Sequence, residues 1–496
     1  MSNRSRLLMM AALVGLAVCA PCAWGQQAPQ TQPAQTSTAD EIKTLRARLD
    51  QLEAQQKEAE QKRQEDKRQA DDAAINRALS KDAKDHSRLL DVEGFTAGYN
   101  NNRFGIQSAD GKFAFRPWMH FQLRDITMDR QNFKAGNDQL DNGLELRRVK
   151  WGIDGNMFGT DLTYFFNWST ARTSGNQNVV NAAGTKIGTT GNSLGGVPLL
   201  EEAWTKYHFR DTPFYVVGGQ IHDPVYHDSI TSTRYQHGAE RSLTGNIFGN
   251  ADTFTEAVGL IFDPNTNIRT TTVLNHGMRS ANTNFLDTGS SGGYNRYDYG
   301  VAGRVEYKVM GRWSDYSQVG AVDDKEPLLV FGSGADYSES GHTGQTVAAV
   351  DGMYGDPSGL SFFGAVLDRY TTHNFGIYTQ TPTGASSLAA DPAVAGRATN
   401  EYSLLFESGY IFNHTWEPYA RYEYMRLQGT PAGSHNYVQE ITGGVNYYIH
   451  GYRAKFTLEG KYLPNGIPLD DGGSDVLASP GGRGEFVFTA QLQLLL

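Results

Sequence analysis

A strict alternation of residue types, repeated along most of the chain, constrains the fold more than any other feature. Between Tyr297 and Val309, aromatic, aliphatic and glycine residues fill the odd positions, and charged or small residues fill the even positions. Successive side chains of a strand point to opposite faces of a sheet, so this segment predicts a strand with one apolar and one charged face. The pattern persists to the end of the chain, where Phe486, Phe488 and Leu492 share one face.

Repetition of such strands, with aromatic residues on the apolar face, is typical of a transmembrane β-barrel, where lipid contacts one face and water the other. Short connections alternate with long ones rich in Gly, Asn, Ser and Thr, as expected for the two sides of an outer-membrane barrel. The short connections are 156–160, 210–213, 263–267, 356–359, 413–414 and 450–451, and the long ones lie near 129–142, 171–197, 222–250, 277–295, 371–399 and 464–483.

The length of the repetitive region predicts the number of strands. Residues 94–496, at roughly 25 residues for each strand and its connection, predict an all-β fold of about 16 antiparallel strands around an aqueous lumen. A β-sandwich or a propeller is the alternative. Those folds bury the apolar face against protein, where so many Tyr and Trp side chains are not needed.

The overall composition is compatible with a barrel and argues against one class of partner. The mean hydropathy is −0.49, because lipid-facing and water-facing residues alternate and cancel in any average. The formal net charge of −10 argues against nucleic acid as a partner. The charges that line a lumen, rather than this total, decide which ions a pore prefers.

The first 25 residues have the pattern of a secretory signal peptide. Arg4 and Arg6 precede an apolar run that is too short to span a bilayer as a helix, and a small-residue cleavage site follows. An uncleaved anchor is the alternative. Cys19 and Cys22 both lie in this segment, so cleavage would leave a chain without disulfides or thiolate chemistry. Residues 26–37, rich in Gln, Pro, Ala and Thr, predict a flexible leader.

Residues 38–80 predict a helical segment that begins as a short coiled coil. Thr38 and Glu41 form a capping-box pattern, and the heptad positions that follow are apolar. These positions are Ile42, Leu45, Leu49 and Leu52. The seam weakens after Gln56 into a charged helix. A self-associating periplasmic stalk and a lone exposed or disordered arm both remain open.

The charged face of the strands predicts a basic lumen. Basic and imidazole groups at lumen-facing positions are Lys112, Arg116, His120, Arg124, Arg148, Lys150, Arg304, Lys308, Arg421, Arg453, Lys455 and Lys461. The acids counted at equivalent positions are Asp154, Glu306, Glu423 and Glu459. A surplus of guanidinium and ammonium groups lowers the energy of anion entry, and Arg matches phosphate or carboxylate oxygens. Pairing of these charges across neighbouring strands is the alternative.

The long connection 222–250 carries the densest group of titratable residues. They are His222, Asp223, His227, Asp228, Arg234, His237, Glu240 and Arg241. Folded into the lumen, this loop would narrow the pore and place these groups where they discriminate among solutes. Its histidines would make conductance pH-dependent. A metal site is the alternative, but no spacing here resembles a closed site, so we expect neither a metal nor a cofactor.

Residues 191–195 match the G-x-S-x-G pattern of a nucleophile elbow around Ser193. The elbow requires a strand before the serine and a helix after it, whereas this copy lies in a Gly-rich loop. Beyond the first 25 residues the sequence has no Gly-rich phosphate loop with its lysine, no paired-cysteine site and no HExxH. We therefore expect no enzymatic activity; a barrel enzyme with a Ser-His pair near the bilayer rim is the alternative.

Several segments between Gly98 and the C-terminus occur in an order that is specific when taken together. They are Gly98-Tyr99 before Phe113–Arg124, Leu146–Gly155 before Leu162–Phe166, Glu202–Trp204, Gly219–Pro224, Thr231–Tyr235 with Glu240 and Arg241, Trp416–Tyr424 and Thr442–Tyr448. In these segments the chain resembles the phosphate-selective porin O and P family. In two places it departs from that family: His222 stands where a lysine is common, and the chain ends in Leu496 rather than an aromatic residue.

The resemblance implies a homotrimeric channel in the bacterial outer membrane, surrounded by lipid, with the N-terminal segment in the periplasm. Basic lumen residues would conduct small anions such as phosphate or polyphosphate past an inward-folded loop, 222–250. We expect the narrowest point to be formed by His222, Arg234, Glu240 and Arg241. We expect the wall to be lined by Arg116, Arg124, Arg148, Lys150, Arg304, Lys308, Arg421, Arg453 and Lys455. A porin without phosphate selectivity and an envelope tether through 38–80 are the alternatives.

Overall fold

The structure is a computed structural model. It describes Arg48 and residues 94–496, apart from 101–102, 131–139, 171–176, 181–185, 191–197, 249–253, 279, 281–297, 341–342, 375, 382–383, 390–395, 429–434, 469–474 and 477–482. The predicted signal peptide 1–25, leader 26–37 and, apart from Arg48, coiled coil 38–80 lie outside the described residues, as does Ser193. The chain divides into units 1–82 and 83–496, and everything below concerns the second.

Antiparallel β-strands make up most of the described residues. Numbered in chain order they are β1 (Phe95–Asn100), β2 (Arg103–Ser108), β3 (Ala114–Arg130), β4 (Leu140–Asn156), β5 (Leu162–Thr170), β6 (Gln177–Val180), β7 (Lys186–Thr190), β8 (Pro198–His208), β9 (Phe214–Ile221), β10 (Thr255–Phe262), β11 (Ile268–Asn275), β12 (Tyr299–Met310), β13 (Leu328–Ser340), β14 (Thr343–Gly355), β15 (Leu360–Asn374), β16 (Gly376–Thr381), β17 (Gly384–Ala389), β18 (Arg397–Tyr410), β19 (Trp416–Arg426), β20 (Tyr437–His450), β21 (Ala454–Leu463) and β22 (Glu485–Leu495). Two short helices, α1 (His227–Ile230) and α2 (Leu243–Ile247), and the 3-10 turns Thr233–Tyr235 and Asp315–Ser317 complete the elements.

The strands close into a ring because the last strand pairs with β3. Eighteen of the described strands form one sheet, and every strand of it except the β1–β2 hairpin belongs to the ring, which therefore has sixteen. Leu496 extends the closing seam, because its N–H donates to the Met119 carbonyl at 2.9 Å and its carbonyl accepts from Met119 at 3.0 Å. The predicted fold, an antiparallel barrel of about 16 strands, is confirmed.

The two faces of the ring have the polarity that the alternation predicts. On β12, Val301 and Tyr307 are 42% and 51% exposed, whereas Arg304 and Glu306 are 3% and 6% exposed. The outer surface is therefore apolar and the charged side chains point inward. Such an outer surface is suited to lipid rather than water. Among the described residues, no helix is long and apolar enough to cross a membrane.

The β1–β2 hairpin stands outside the ring. Only two residue pairs join β2 to β3, Ile106 with Phe115 and Gln107 with Ala114. The hairpin still contributes to the interior, since Arg103 forms an ion pair with Asp154 of β4. The ring itself thus begins at Ala114, although the change of composition starts near residue 94.

The connections differ on the two sides of the ring. On one side, called the short-turn side here, they are 157–161, 209–213, 263–267, 311–327, 356–359, 411–415 and 451–453. All but one of these are short. The exception, 311–327, is called the inner connection because Tyr316 and Val319 within it are 3% and 1% exposed and pack into the barrel.

Candidate functional site in the barrel lumen

The connection between β9 and β10, residues 222–254, is called the lumen loop, and its described residues, 222–248 and 254, lie inside the ring. Tyr226, Leu243 and Phe248 on it are at most 1% exposed and join one apolar cluster with inward residues of β13, β14, β15 and β18. Within that cluster the rings of Tyr226 and Phe363 lie 6.0 Å apart. Apolar packing thus holds the loop against one wall of the barrel, in the inward position that its sequence predicts.

Carboxylates of the facing strands bind the backbone of the lumen loop. Glu423 accepts hydrogen bonds from the backbone N–H groups of Leu243 at 3.0 Å and Thr244 at 2.6 Å, which begin α2. Glu459 accepts from the N–H of Ala239 at 3.1 Å. The first N–H groups of a helix have no partner within the helix, so an acid placed there satisfies them.

The strands β19–β21, which carry these carboxylates, are called the anchoring wall. Two of the predicted lining residues, Arg421 and Lys455, lie on it. Arg421 forms ion pairs with Glu423 at 2.9 Å and Glu440 at 3.0 Å. Lys455 donates from Nζ to the Gln236 carbonyl of the lumen loop at 2.7 Å. Both side chains are at most 3% exposed, so here they hold the loop.

The predicted scarcity of acids in the lumen is wrong. The structure buries further inward acids that the sequence count left out, namely Asp351, Glu401, Glu407, Glu417 and Glu440. They lie on β14 and β18–β20 and pair with wall cations, with His237 or with groups of the lumen loop. The physical reason is the buried loop itself, because its backbone N–H groups and cations require acceptors once they leave water.

On β3 and β4, which follow the strands β19–β21 around the ring after β22, three arginines converge on a single carboxylate of the lumen loop. Glu240 accepts from Arg124 Nη1 at 2.5 Å, from Arg148 Nη2 at 2.7 Å and from Arg147 Nη2 at 3.0 Å. All four residues are at most 8% exposed. Burial by itself would raise the pKa of the Glu240 carboxyl, but the three guanidinium groups outweigh it and hold that pKa well below its usual range. This group is called the arginine cluster.

A β-bulge creates the arginine cluster. Gln122 of β3 pairs with Arg148 of β4, and the next residue, Leu123, pairs with Leu146, so Arg147 has no partner opposite it. A bulge of this kind turns two successive side chains toward the same face. Both arginines therefore reach Glu240, although strict alternation places Arg147 outside and the sequence analysis missed it. Two adjacent arginines in an alternating strand are the signal that could have revealed it.

Two of the residues predicted at the narrowest point have other partners. His222 lies with Nε2 2.9 Å from Glu202 Oε1 of β8, and its ring centroid is 4.5 Å from that of Phe254. Arg241 donates to the backbone carbonyl of Asp228 in α1. Of the predicted narrowing residues, Glu240 is thus the one that reaches the arginines of β3 and β4.

Arg304 links the wall to the inner connection. Its guanidinium donates to both carboxylate oxygens of Asp351, at 2.7 and 2.8 Å, and to the Tyr316 hydroxyl at 2.9 Å. The Tyr316 ring lies 4.0 Å from the ring of His227 in α1. The inner connection and the lumen loop therefore touch inside the barrel.

Lys150 and Lys308 lie on the wall with separate partners. Lys150 Nζ is 2.7 Å from Glu201 Oε2 of β8. Lys308 Nζ lies 5.2 Å from the ring centroid of Trp313, at the start of the inner connection. Each cation is therefore stabilised locally, Lys150 by a carboxylate and Lys308 by an aromatic face.

The remaining predicted arginines, Arg116, Arg234 and Arg453, line a cavity of 670 Å³. The guanidinium carbon of Arg234 lies 4.3 Å from the ring centroid of Trp118 on β3. Arg453 lies in the turn 451–453, whereas the alternation predicted that it lies on a strand. The structure thus separates Arg234 from Glu240 and groups it with residues of the short-turn side.

The two fully buried histidines of the lumen loop have opposite pKa shifts. Burial, the largest effect, lowers the pKa of His227 to about 4. Burial also disfavours the charged ring of His237, but Glu417 and Glu407 outweigh burial and raise its pKa to about 10. Neither ring changes charge near neutral pH, so the predicted pH-dependent conductance does not follow from these two residues.

The described residues hold no group of three or more His, Cys, Asp or Glu side chains placed to bind a metal ion. In the lumen loop, Glu240 instead pairs with arginines, Asp228 accepts from the Ser242 hydroxyl, and His237 pairs with Glu407 of β18. Chemically, the lumen offers guanidinium donors on β3 and β4 and loop-anchoring carboxylates on β19 and β21.

Comparisons with known proteins agree with the resemblance seen in the sequence. Residues 120–339 match the family described as phosphate-selective porin O and P, and this confirms the resemblance over that range. No curated protein matches the chain.

Several solved structures are similar to the chain. An anion-selective porin from Comamonas acidovorans has a TM-score of 0.49 and 10% identity, covering 77% of this chain and 100% of that one. OprB of Pseudomonas putida has a TM-score of 0.47 and 10% identity, covering 78% and 95%. The outer-membrane channel DcaP of Acinetobacter baumannii has a TM-score of 0.46 and 10% identity, covering 79% and 99%.

Proposed function

We propose that this chain, a porin related to the phosphate-selective O and P family, is a passive diffusion channel of the outer membrane for small anions. The observation that carries the proposal is the arginine cluster, in which Arg124, Arg147 and Arg148 meet at the loop that enters the lumen. Three guanidinium groups present more N–H donors than one carboxylate can accept. Their fixed positive charge beside the loop favours the approach of a mobile anion.

The mechanism is electrostatic attraction followed by exchange of hydrogen bonds. A mobile oxyanion entering from the long-connection side reaches guanidinium groups already held in place by Glu240 and, for Arg124, by Glu145 and Asp475. Because the donors are preorganised, binding costs little rearrangement. Because Glu240 competes for the same donors, binding stays weak enough for release, as conduction requires.

Phosphate and polyphosphate are the proposed solutes within this class. Their tetrahedrally arranged oxygens accept paired hydrogen bonds from guanidinium groups. A spherical chloride ion accepts such paired hydrogen bonds less well. A porin for small anions without phosphate preference is the second candidate, since His222 stands where the family commonly has a lysine. Competition between phosphate and chloride in single-channel currents separates the two.

We propose further that the channel is a homotrimer with residues 38–80 forming a coiled-coil stalk in the periplasm. The heptad positions of that segment support self-association, which would reinforce a trimer of barrels. If the segment is instead an envelope tether, deleting it impairs envelope integrity while the trimer and its conductance persist. Loss of the trimer on deletion supports the stalk.

The central experiment measures reversal potentials of the purified protein in planar bilayers under a KCl gradient. We expect anion preference for the natural protein and a reduced preference for Arg148→Gln. Arg210→Gln is the matched control, because Arg210 pairs with Asp161 in an exposed turn and its side chain is 73% exposed. Cation preference of the natural protein would contradict the proposal.

A further inference from the structure

The cavity of 670 Å³ opens toward the short-turn side and is separate from the arginine cluster. It is bounded by the turn that contains Arg453, by the chain terminus at Leu496, and by inward residues of β3, β4, β5 and β8. Neither Glu240 nor the three arginines that bind it line this cavity. A solute that passes the arginine cluster toward the periplasm would reach the cavity next.

One wall of the cavity is aromatic, although it belongs to the face that water and ions would otherwise fill. The ring centroids of Trp118 and Phe165 lie 5.9 Å apart, and those of Phe165 and Trp204 lie 5.5 Å apart, both pairs stacked. These rings come from β3, β5 and β8 and form a continuous apolar strip. An inorganic ion gains nothing from such a strip, whereas a flat apolar group gains contact and loses water.

Four arginines, two aspartates and Leu496, which carries the terminal carboxylate, line the same cavity, so positive charges outnumber negative ones by one. Arg103 and Arg116 share Asp154, with Arg116 Nε 2.8 Å from its carboxylate. Within the described part of the chain, Arg234 and Arg453 have no carboxylate within ion-pair distance. Arg234 donates from Nε to the Ser232 hydroxyl at 3.0 Å. Its two terminal nitrogens are therefore available to an anion.

We propose that this cavity binds organic anions that join a flat apolar body to a single carboxylate, that is, aromatic carboxylates. The carboxylate is held by Arg234 and Arg453, and the ring lies against the strip that ends at Trp204. The proposal rests on the channel function proposed above, and it extends the range of solutes from inorganic oxyanions to aromatic acids.

The test uses the full-length protein in planar bilayers with chloride as the carrier ion. Benzoate, acetate and inorganic phosphate are added in separate titrations, and the reduction of chloride current gives an apparent Kd for each. We expect benzoate to bind at least about tenfold more tightly than acetate, because only benzoate reaches the aromatic strip.

Three variants locate the benzoate site. We expect Arg234→Gln to weaken benzoate binding about tenfold, the usual cost of one charge-assisted hydrogen bond. Trp204→Leu removes the advantage of benzoate over acetate, and Arg210→Gln, in an exposed turn on the same side, leaves benzoate binding unchanged. Should Arg234→Gln fail to fold, Arg453→Gln replaces it, since it changes only a turn residue.

The outcomes separate this proposal from the channel function. Anion-selective current with equal affinity for benzoate and acetate overturns the aromatic-acid site and leaves the channel function intact. Benzoate binding that survives Arg234→Gln and Arg453→Gln overturns the placement of the site. Cation-selective current under a KCl gradient overturns the channel function itself.

Discussion

Glu240 and Arg148 lie 92 positions apart in the sequence, yet Oε2 of the glutamate is 2.7 Å from Nη2 of the arginine inside the barrel. One residue belongs to the lumen loop and the other to β4, so this contact joins the loop to the wall opposite β13 and β14, against which its apolar side chains pack. The loop is consequently held from both sides. Charge pairs hold it on one wall and apolar packing holds it on the other.

Replacing Glu240 by Gln is expected to increase the preference for anions. The change removes one fixed negative charge beside three arginines, so the anion-to-cation permeability ratio rises at least about twofold. The reversal potential under a KCl gradient measures it. Glu326→Gln is the control, since Glu326 lies in an exposed position with its side chain 49% exposed. An unchanged ratio in Glu240→Gln would place Glu240 away from the ion path.

Arg147→Gln is expected to reduce anion preference by roughly as much as Arg148→Gln. The bulge in β4 turns both side chains toward Glu240, so each substitution removes one guanidinium group from the same site. Reversal potentials of the two variants are compared under identical gradients. If Arg147→Gln behaves like the natural protein while Arg148→Gln does not, Arg147 faces lipid and the bulge is excluded.

The stability of the barrel should fall at alkaline pH because of His237. Its folded pKa, about 10, exceeds its unfolded value, so the stabilisation is complete below about pH 6.5 and is lost as the pH rises through about 10. We expect the unfolding temperature of the detergent-solubilised barrel to decline over that window. The variant His237→Gln should be less stable at pH 6 and lose less between pH 7 and 10; an equal decline in both proteins would contradict the assignment.

His227 should act in the acidic range. Its folded pKa of about 4 is depressed, so the folded state resists protonation and stability falls as the pH drops from about 6.5 toward 4. The variant His227→Gln is expected to lack this loss of stability at acidic pH. The unfolding temperature between pH 7 and 4 is the measurement, and an identical acid dependence in both proteins would show that other groups control it.

Tyr316→Ala is expected to loosen the inner connection and raise single-channel conductance. The hydroxyl of Tyr316 bonds to Arg304 at 2.9 Å and its ring packs on His227, so truncation creates a cavity and costs about 3 kcal/mol. Single-channel recording and thermal unfolding measure the two effects. Ser317→Ala is the neighbouring control, because Ser317 is exposed. Unchanged conductance would mean that ions do not pass beside the inner connection.

A charge on the outer surface should impair membrane insertion. Val350 on β14 points outward and is 60% exposed, so Val350→Arg would place a guanidinium group in lipid at a cost of about 2–4 kcal/mol near the bilayer centre. The fraction folded into lipid vesicles, followed by heat-modifiable electrophoretic mobility, is expected to drop. Val350→Leu is the control that preserves the apolar surface. Equal folding of the two variants would place Val350 away from lipid.

Much of the fold can be predicted from local patterns because a strand has a period of two. The outward position of Val301 and the inward position of Arg304 follow from alternation, and both are confirmed. The inward fold of the lumen loop was also expected. By contrast, the bulge at Arg147 shifts the alternation by one residue, and it depends on the register between β3 and β4, which the sequence of β4 alone does not fix.

The partners of the lumen charges could not be predicted for the same reason. Glu417 and Glu423 lie far along the chain from the loop that they stabilise, and a single sequence does not relate those positions. The position of Tyr316 inside the barrel was missed as well, since 311–327 resembles an ordinary connection of polar and aromatic residues.

The sequence by itself determined that lipid-facing and lumen-facing residues alternate, because that property is local and repeats with every strand. Only the tertiary structure decided which cations remain free to meet a solute. Arg421 is bound to the acids of the anchoring wall, whereas Arg234 reaches a cavity. Both residues were predicted to face the lumen, and they differ because an ion pair depends on distances across the closed ring.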